Sequence, residues 1–449
     1  MSLSISSWRQ KIFFPGGAHV LAIVAAIILF CDASFAADYV VCAEGYGAPS
    51  LERCVEIALL NRPSLAETRS GIESQKARVA QEASSLRTQG NLSQSYGFSR
   101  NENVGQGGRF STEFSLNQTI SDWGKTNLSI KGARQELEAR ALDESDRIQA
   151  IVADVSDAYY ALGRSGRNLG IVSERVGNYE NRLQWAKDFY KAGAKAKIEV
   201  TKAETDLAKA KLDFVVARGA LQRAVSGLAH SMGVPDWLPD DIAGFESSLD
   251  RQSPTGESDD ISRDEAVAAA LSNRSDIMAQ DVRTEAVRTN LALTAKGLSP
   301  TLTGGAGYSF SGVDDPFESR EWRLSVGLSV PVIDGGLTRE RVKQAEADLA
   351  TAEASGEAMR QDVILAVHTA HSSLTEAAES VAAAREVERQ AKETLDLAQG
   401  RYKAGVGESL EISDAVDGYA QARIQVVTAL YNLKSAEISL KRVMGVITK

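Results

Sequence analysis

At 449 residues, with 43% apolar and 24% charged side chains, the chain has the balance of a folded protein, which excludes wholesale disorder. Its formal charge of −10 argues against nucleic acid as a partner. Residues 1–36 have the pattern of a secretory signal peptide: Arg9 and Lys11 give a positive start, 20–30 an apolar run, and Ser34-Phe35-Ala36 a small-x-small cleavage site. Cleavage there removes Arg9, Lys11 and Asp32 and leaves a mature charge of about −11 by counting. Cys31 invites a lipoprotein reading, but the bulky Phe30 before it disfavours that processing. Cys42 and Cys54 then remain, either joined as one disulfide or left as two thiols in an oxidising compartment. No apolar run of about 20 residues follows the signal, so any membrane passage must be made by β-strands.

In chain order, 51–61 and 64–87 are expected as helices broken at Pro63, which lacks a donor and restrains the residue before it. The period then falls to two. In 91–101, Leu92, Tyr96 and Phe98 alternate with small or polar residues, and in 110–121 Phe110, Phe114, Leu116 and Ile120 do the same. Residues 124–191 hold no proline and predict one helix of roughly 100 Å at about 1.5 Å per residue. The turn at Gly193 leads into a return helix, 198–232. Residues 235–261, rich in Pro, Gly, Ser and acids, read as a linker on the outside.

After the linker the pattern starts again, at a constant offset of 212 residues as from Leu59 to Leu271. Asn61-Arg62 recurs as Asn273-Arg274, Tyr96 and Phe98 as Tyr308 and Phe310, and Asp122 and Gly124 as Asp334 and Gly336. Tyr190 to Gly193 recurs as Tyr402 to Gly405, Glu199 as Glu411, and Met232-Gly233-Val234 as Met444-Gly445-Val446. The chain is therefore one unit written twice: 37–234 and 262–449. In the second copy, a helical pair over 264–297 precedes strands 301–311 and 321–332. A long helix 336–403 and a return helix 408–445 follow. Trp322, Leu324, Val326, Leu328, Val330 and Val332 share one strand face, with Arg323, Ser325, Gly327 and Ser329 opposite. In the long helix Val363, Val367, Ala370, Leu374, Ala377, Val381, Leu395, Ala398 and Tyr402 keep coiled-coil spacing. Strands of about 10 residues suit a tilted membrane pass. Four of them cannot close a barrel, so several chains must contribute if they span.

A strand pair, long helix, Gly turn and return helix, all duplicated, resemble the TolC-like outer-membrane efflux family over essentially the whole mature chain. Val330-Pro331-Val332-Ile333-Asp334-Gly335-Gly336 is similar to its strand-to-helix signature, and Tyr402-Lys403-Ala404-Gly405 with Glu411 and Asp414 to its periplasmic tip. The resemblance implies a mainly α fold with a β-barrel part: a homotrimer with a 12-stranded barrel in outer-membrane lipid and a 12-helix periplasmic tunnel. It implies an export channel, for efflux or type I secretion, working with a periplasmic adaptor and an inner-membrane RND or ABC transporter. It places tip closure at Tyr402 and Glu199, and an acidic pore ring at Glu411 and Asp414. The alternative for Glu411 and Asp414, and for Glu199, is that acids in a first helical turn offset the dipole. Family members carry an arginine where Gly407 stands. Lys195, its repeat mate, with Lys197 and Lys202 near the first of the Gly193 and Gly405 tip turns, is therefore a candidate to supply the cation instead.

Other motifs are structural. Asp122 and Asp334 read as helix N-caps. His368 and His371 have metal-ligand spacing without a third ligand, so no metal is expected. Gly124-Lys125-Thr126 lacks the glycine that would make it a phosphate loop, Gly105, Gly107 and Gly108 read as an external loop, and no nucleophile-base arrangement is found. Neither an enzyme nor a cofactor is expected. The competing reading is a soluble periplasmic coiled-coil scaffold or adaptor.

Overall fold

The computed structural model describes residues 50–101, 105–237, 261–312 and 318–447, all within one unit. The expected signal peptide, Cys42 and linker residues 238–260 lie outside the described residues. The Ser50 hydroxyl accepts from the Arg53 amide at 3.3 Å and caps α1 (Leu51–Asn61). Pro63 takes the first position of α2 (Pro63–Ser84), where its missing donor costs nothing, so the break falls at Arg62. The strands β1 (Gln89–Asn101) and β2 (Gly105–Ser121) lead to α3 (Lys125–Lys191) and α4 (Lys197–Ser231). The second copy follows as α5 (Arg263–Asn273), α6 (Ser275–Ala295), β3 (Thr301–Gly312), β4 (Ser319–Ser329), α7 (Leu337–Lys403) and α8 (Ser409–Val443). Here Ser262 and Glu265 form a full capping box ahead of α5.

The repeated Asn-Arg and Met-Gly-Val strings have a shared physical reason. Gly233 (φ +76°) ends the return of the first copy so close to α1 that an added Cβ would lie 2.9 Å from the Asn61 carbonyl oxygen. Gly445 (φ +71°) repeats this, 3.0 Å from the Arg274 nitrogen. Each hairpin is thereby locked onto the helical corner that starts its own copy.

All four strands form one antiparallel sheet in the order β1-β2-β3-β4, so the two copies join at β2 and β3. The register sets Leu92 beside Phe114, Phe114 beside Tyr308, and Tyr308 beside Trp322, a row of large apolar side chains across the whole sheet. This face is bare: Trp322, Leu324, Val326 and Leu328 are 61–75% exposed. Ser93, Glu113, Ser309 and Glu321 line up on the other face. Gly105, Gly107 and Gly108, expected in a loop, instead begin β2, paired with the end of β1, and Gly108 lies under the Tyr96 ring. β4 stops at Ser329, before Pro331, which has no donor for the ladder.

The helices lie side by side in an open arc. Near the sheet its order is α2, α3, α6, α7; farther away it is α4, α3, α8, α7. Cys54, Ala58, Leu65, Ile151, Val155, Tyr159, Leu228 and Met232 fill the first-copy core. Ala266, Ala270, Ile277, Val363, Val367, Leu440 and Met444 fill the second. Cys54 is a free thiol there, pushed up to about 12 by burial. Cys42, its possible disulfide partner, lies outside the described residues.

Asp122 and Asp334 act as expected, with one correction. The residue flanking each long helix is a left-handed glycine, Gly124 (φ 85°) and Gly336 (φ 89°), not the aspartate. Each aspartate caps from two residues upstream: Asp122 accepts from the amides of Gly124 at 3.0 Å and Thr126 at 2.7 Å, and Asp334 from Gly336 at 3.0 Å and Thr338 at 2.8 Å. These bonds hold the Asp122 carboxyl below its ordinary range against the upward push of burial.

Candidate functional site

The far ends of the two hairpins meet in a tip core of their own: Tyr179, Leu207, Ala210, Leu395, Ala398, Tyr402, Ile412, Ala415 and Val416. Gly193 (φ 71°) and Gly405 (φ 78°) end the long helices in the left-handed conformation. The amide of Ala194 then donates to the Phe189 carbonyl at 2.9 Å, and that of Val406 to Arg401 at 3.1 Å. The second turn is tighter. The Gly407 amide also donates to the Arg401 carbonyl, at 3.0 Å, and a Cβ on Gly407 would lie 2.8 Å from the Tyr402 nitrogen. Gly407 is therefore glycine because backbone occupies the space any side chain would need.

Tyr402 is buried between hairpins, with Phe189 edge-on at 5.8 Å and Trp185 at 6.3 Å between ring centroids. Burial pushes its hydroxyl above the ordinary tyrosine range, Arg182 pulls down and Glu199 pushes up, so these three groups share one field. The Tyr402 hydroxyl and Glu199 Oε2 are both enclosed without a hydrogen-bond partner, as is Arg182 Nε. Lys195 and Lys202 are half-buried and form no ion pair among the described residues.

The residue that sequence reasoning missed is Arg182, 1% exposed, one of the largest fully buried side chains. It donates to Asp206 Oδ2 at 2.6 Å within the first hairpin and to the Ser409 hydroxyl at 2.5 Å across to the second. Ser413 donates to the same Asp206 oxygen at 3.0 Å. About two turns along the seam, Asp417 accepts from Arg175 at 2.9 Å and from the Tyr179 hydroxyl at 2.7 Å. Burial first, then this bond, raises the Tyr179 hydroxyl above its usual range. Glu174 and Arg423, then Asp157 and Ser435, continue the α3–α8 seam. A charged residue at helical spacing between Tyr179 and Ala186 was the available signal.

Glu411 and Asp414 are both exposed on the first turns of α8. Glu411 is paired with Arg401 (3.0 Å) inside the second hairpin. His371 Nε2 lies 3.2 Å from the Ile261 carbonyl oxygen, and the described residues hold no cluster of metal-ligating side chains. No helix of the described residues is long and apolar enough to cross a membrane.

The model of the "Outer membrane efflux protein" family matches residues 54–234 and 266–446, two stretches at the same 212-residue spacing as the internal repeat. Among curated relatives, the chain is 22% identical over 413 residues to outer membrane protein TolC of Vibrio cholerae, covering 90% of this chain and 92% of that one. It is 25% identical over 405 residues to the outer membrane efflux protein BepC of Brucella suis, with 87% and 84% covered. The fold is that of the solved outer membrane protein VceC from Vibrio cholerae, at a TM-score of 0.73 and 19% identity, over 88% of this chain and 96% of that one.

Proposed function

Because this chain belongs to the outer membrane efflux protein family and is an export channel of the Gram-negative outer membrane, we propose that three copies close into one continuous tunnel, shut at the hairpin tip. The observation that carries this reading is the incompleteness of the single chain. Its sheet has two unpaired edges, β1 and β4, and an exposed apolar face, while an open sheet of four strands encloses nothing. Three such sheets would give a 12-stranded barrel, with the Trp322 row toward lipid and the Ser, Gly and Thr face toward the lumen. The helical arc ends at α4 and α7, whose outward apolar residues, Ile198, Leu212 and Val216 on one and Leu365 and Leu397 on the other, suit a neighbour's edge helix. Twelve long and return helices would then wall the periplasmic tunnel.

Closure rests on the tip core, where the Tyr402 hydroxyl and the Glu199 Oε2 atom are enclosed without hydrogen-bond partners. Contact with a periplasmic adaptor held by an inner-membrane RND or ABC transporter would move the second hairpin and open it. Chemical cross-linking and mass measurement in detergent test the assembly: a trimer is expected, and a monodisperse monomer would overturn it. Replacing Tyr402 and Glu199 with alanine should raise single-channel conductance in planar bilayers, and unchanged conductance would place closure elsewhere.

A further inference from the structure

The acids on the exposed face of α8 are not equivalent. Glu411, Asp414 and Asp417 follow each other at three-residue spacing, so they lie along one side of the helix. Asp417 is spent on the seam, accepting from Arg175 and Tyr179. Glu411 faces Arg401, with Nε and Oε1 3.0 Å apart, and both side chains remain in solvent, 59% and 40% exposed. Asp414 alone of the three has no ion pair or hydrogen bond through its carboxylate among the described residues. The repeat shows that Arg401 is particular to this place. Its mate in the first copy is Phe189, while the mate of Asp414 is Lys202.

We infer that Arg401 is a charge-selectivity residue of the channel, cancelling Glu411 and leaving Asp414 as the acid that sets ion preference at the tip. This rests on the proposed lumenal placement of the α8 face. An exposed ion pair stabilises little, but selectivity depends on the net charge near the axis and not on how firmly the pair is held. Three copies then present one net negative charge each at this level in place of two. The constriction discriminates weakly against anions and admits anionic as well as cationic permeants.

The test is the reversal potential of the full-length channel in planar bilayers under a KCl gradient. Arg401→Gln should raise the potassium-to-chloride permeability ratio by at least about two-fold, Arg401→Lys should leave it at the wild-type value, and Arg401→Gln with Glu411→Gln should return it there. Asp414→Asn should lower it. If Asp414→Asn shifts the potential and Arg401→Gln does not, the role of Arg401 is refuted while the lumenal reading stands. If Asp414→Asn itself changes nothing, the α8 face is outside the pore and the underlying reading fails.

Discussion

The two copies agree in backbone almost to the residue: α3 and α7 span Lys125–Lys191 and Leu337–Lys403, and α4 and α8 span Lys197–Ser231 and Ser409–Val443. Their surroundings do not agree. In the lower arc α3 and α8 are interior, with helices on both sides, while α4 and α7 are edges. Val215 on α4 is 54% exposed, whereas its mate Val427 on α8 is 7% exposed and packs on Ile171. Arg182 on α3 is buried, and its mate on α7, Thr394, is exposed. Duplication therefore fixed element lengths and turns, and position in the arc then decided which faces had to be filled. Apolar side chains are left bare on the edge helices, and these are the faces that the proposed assembly would cover.

The sharpest way to break this comparison is at Arg182. Arg182→Met leaves Asp206 enclosed without its cation and is expected to cost about 3–5 kcal/mol, seen as a large drop in the thermal midpoint of the detergent-solubilised protein. Thr394→Met on the exposed mate should leave that midpoint unchanged. Equal effects at the two sites would mean that the seam is not where Arg182 is held. Next in size is the valine pair. Val427→Ala should cost about 2 kcal/mol from lost burial alone. Val215→Ala should spare the fold of the chain and instead weaken its oligomer, read as a lower trimer fraction on dilution. Loss of chain stability at Val215 would show that this face of α4 has a neighbour within its own chain.

Much of this asymmetry was invisible in the sequence, for identifiable reasons. Element boundaries were legible because periodicity and turn glycines are local: 124–191 was expected where Lys125–Lys191 is found, and 301–311 where Thr301–Gly312 is found. Gly105, Gly107 and Gly108 misled, since glycine reads as loop until pairing with β1 overrides its weak strand preference. At the tip, Tyr402 and Glu199 could be placed through the repeat and the family resemblance. Arg182 could not, because Asp206 and Ser409 lie 24 and 227 residues away on other helices. Periodicity says which face an arginine occupies, never which carboxylate will meet it there.

The tip turns give a smaller contrast. Gly407→Ala has no room beside the Tyr402 nitrogen and should cost on the order of 1–2 kcal/mol by forcing the backbone aside. Lys195→Ala, at the mate position where the first copy already carries a side chain, should cost nothing measurable in the same thermal melt.

Smallest, and sensitive to pH, is the contrast between the two capping aspartates. Asp122 is buried and Asp334 half-buried, though both accept the same pair of backbone bonds. Asp122→Ala should cost about 1 kcal/mol as a lost helix cap, and Asp334→Ala should lower the melting point less. In both, the folded carboxyl sits below the ordinary 3.8: for Asp122 because bonds from Thr126 and Gly124 outweigh burial, for Asp334 because of the bonds from Thr338. A depressed folded value means that the unfolded chain takes up protons first. The caps' contribution is therefore fully present above about pH 5, and is lost as pH falls through the unfolded value toward the folded one. Between pH 6 and pH 3 the gap in melting temperature between wild type and Asp122→Ala should narrow. A gap that stays constant over that range would mean that the carboxylate charge at Asp122 has no part in holding the start of α3.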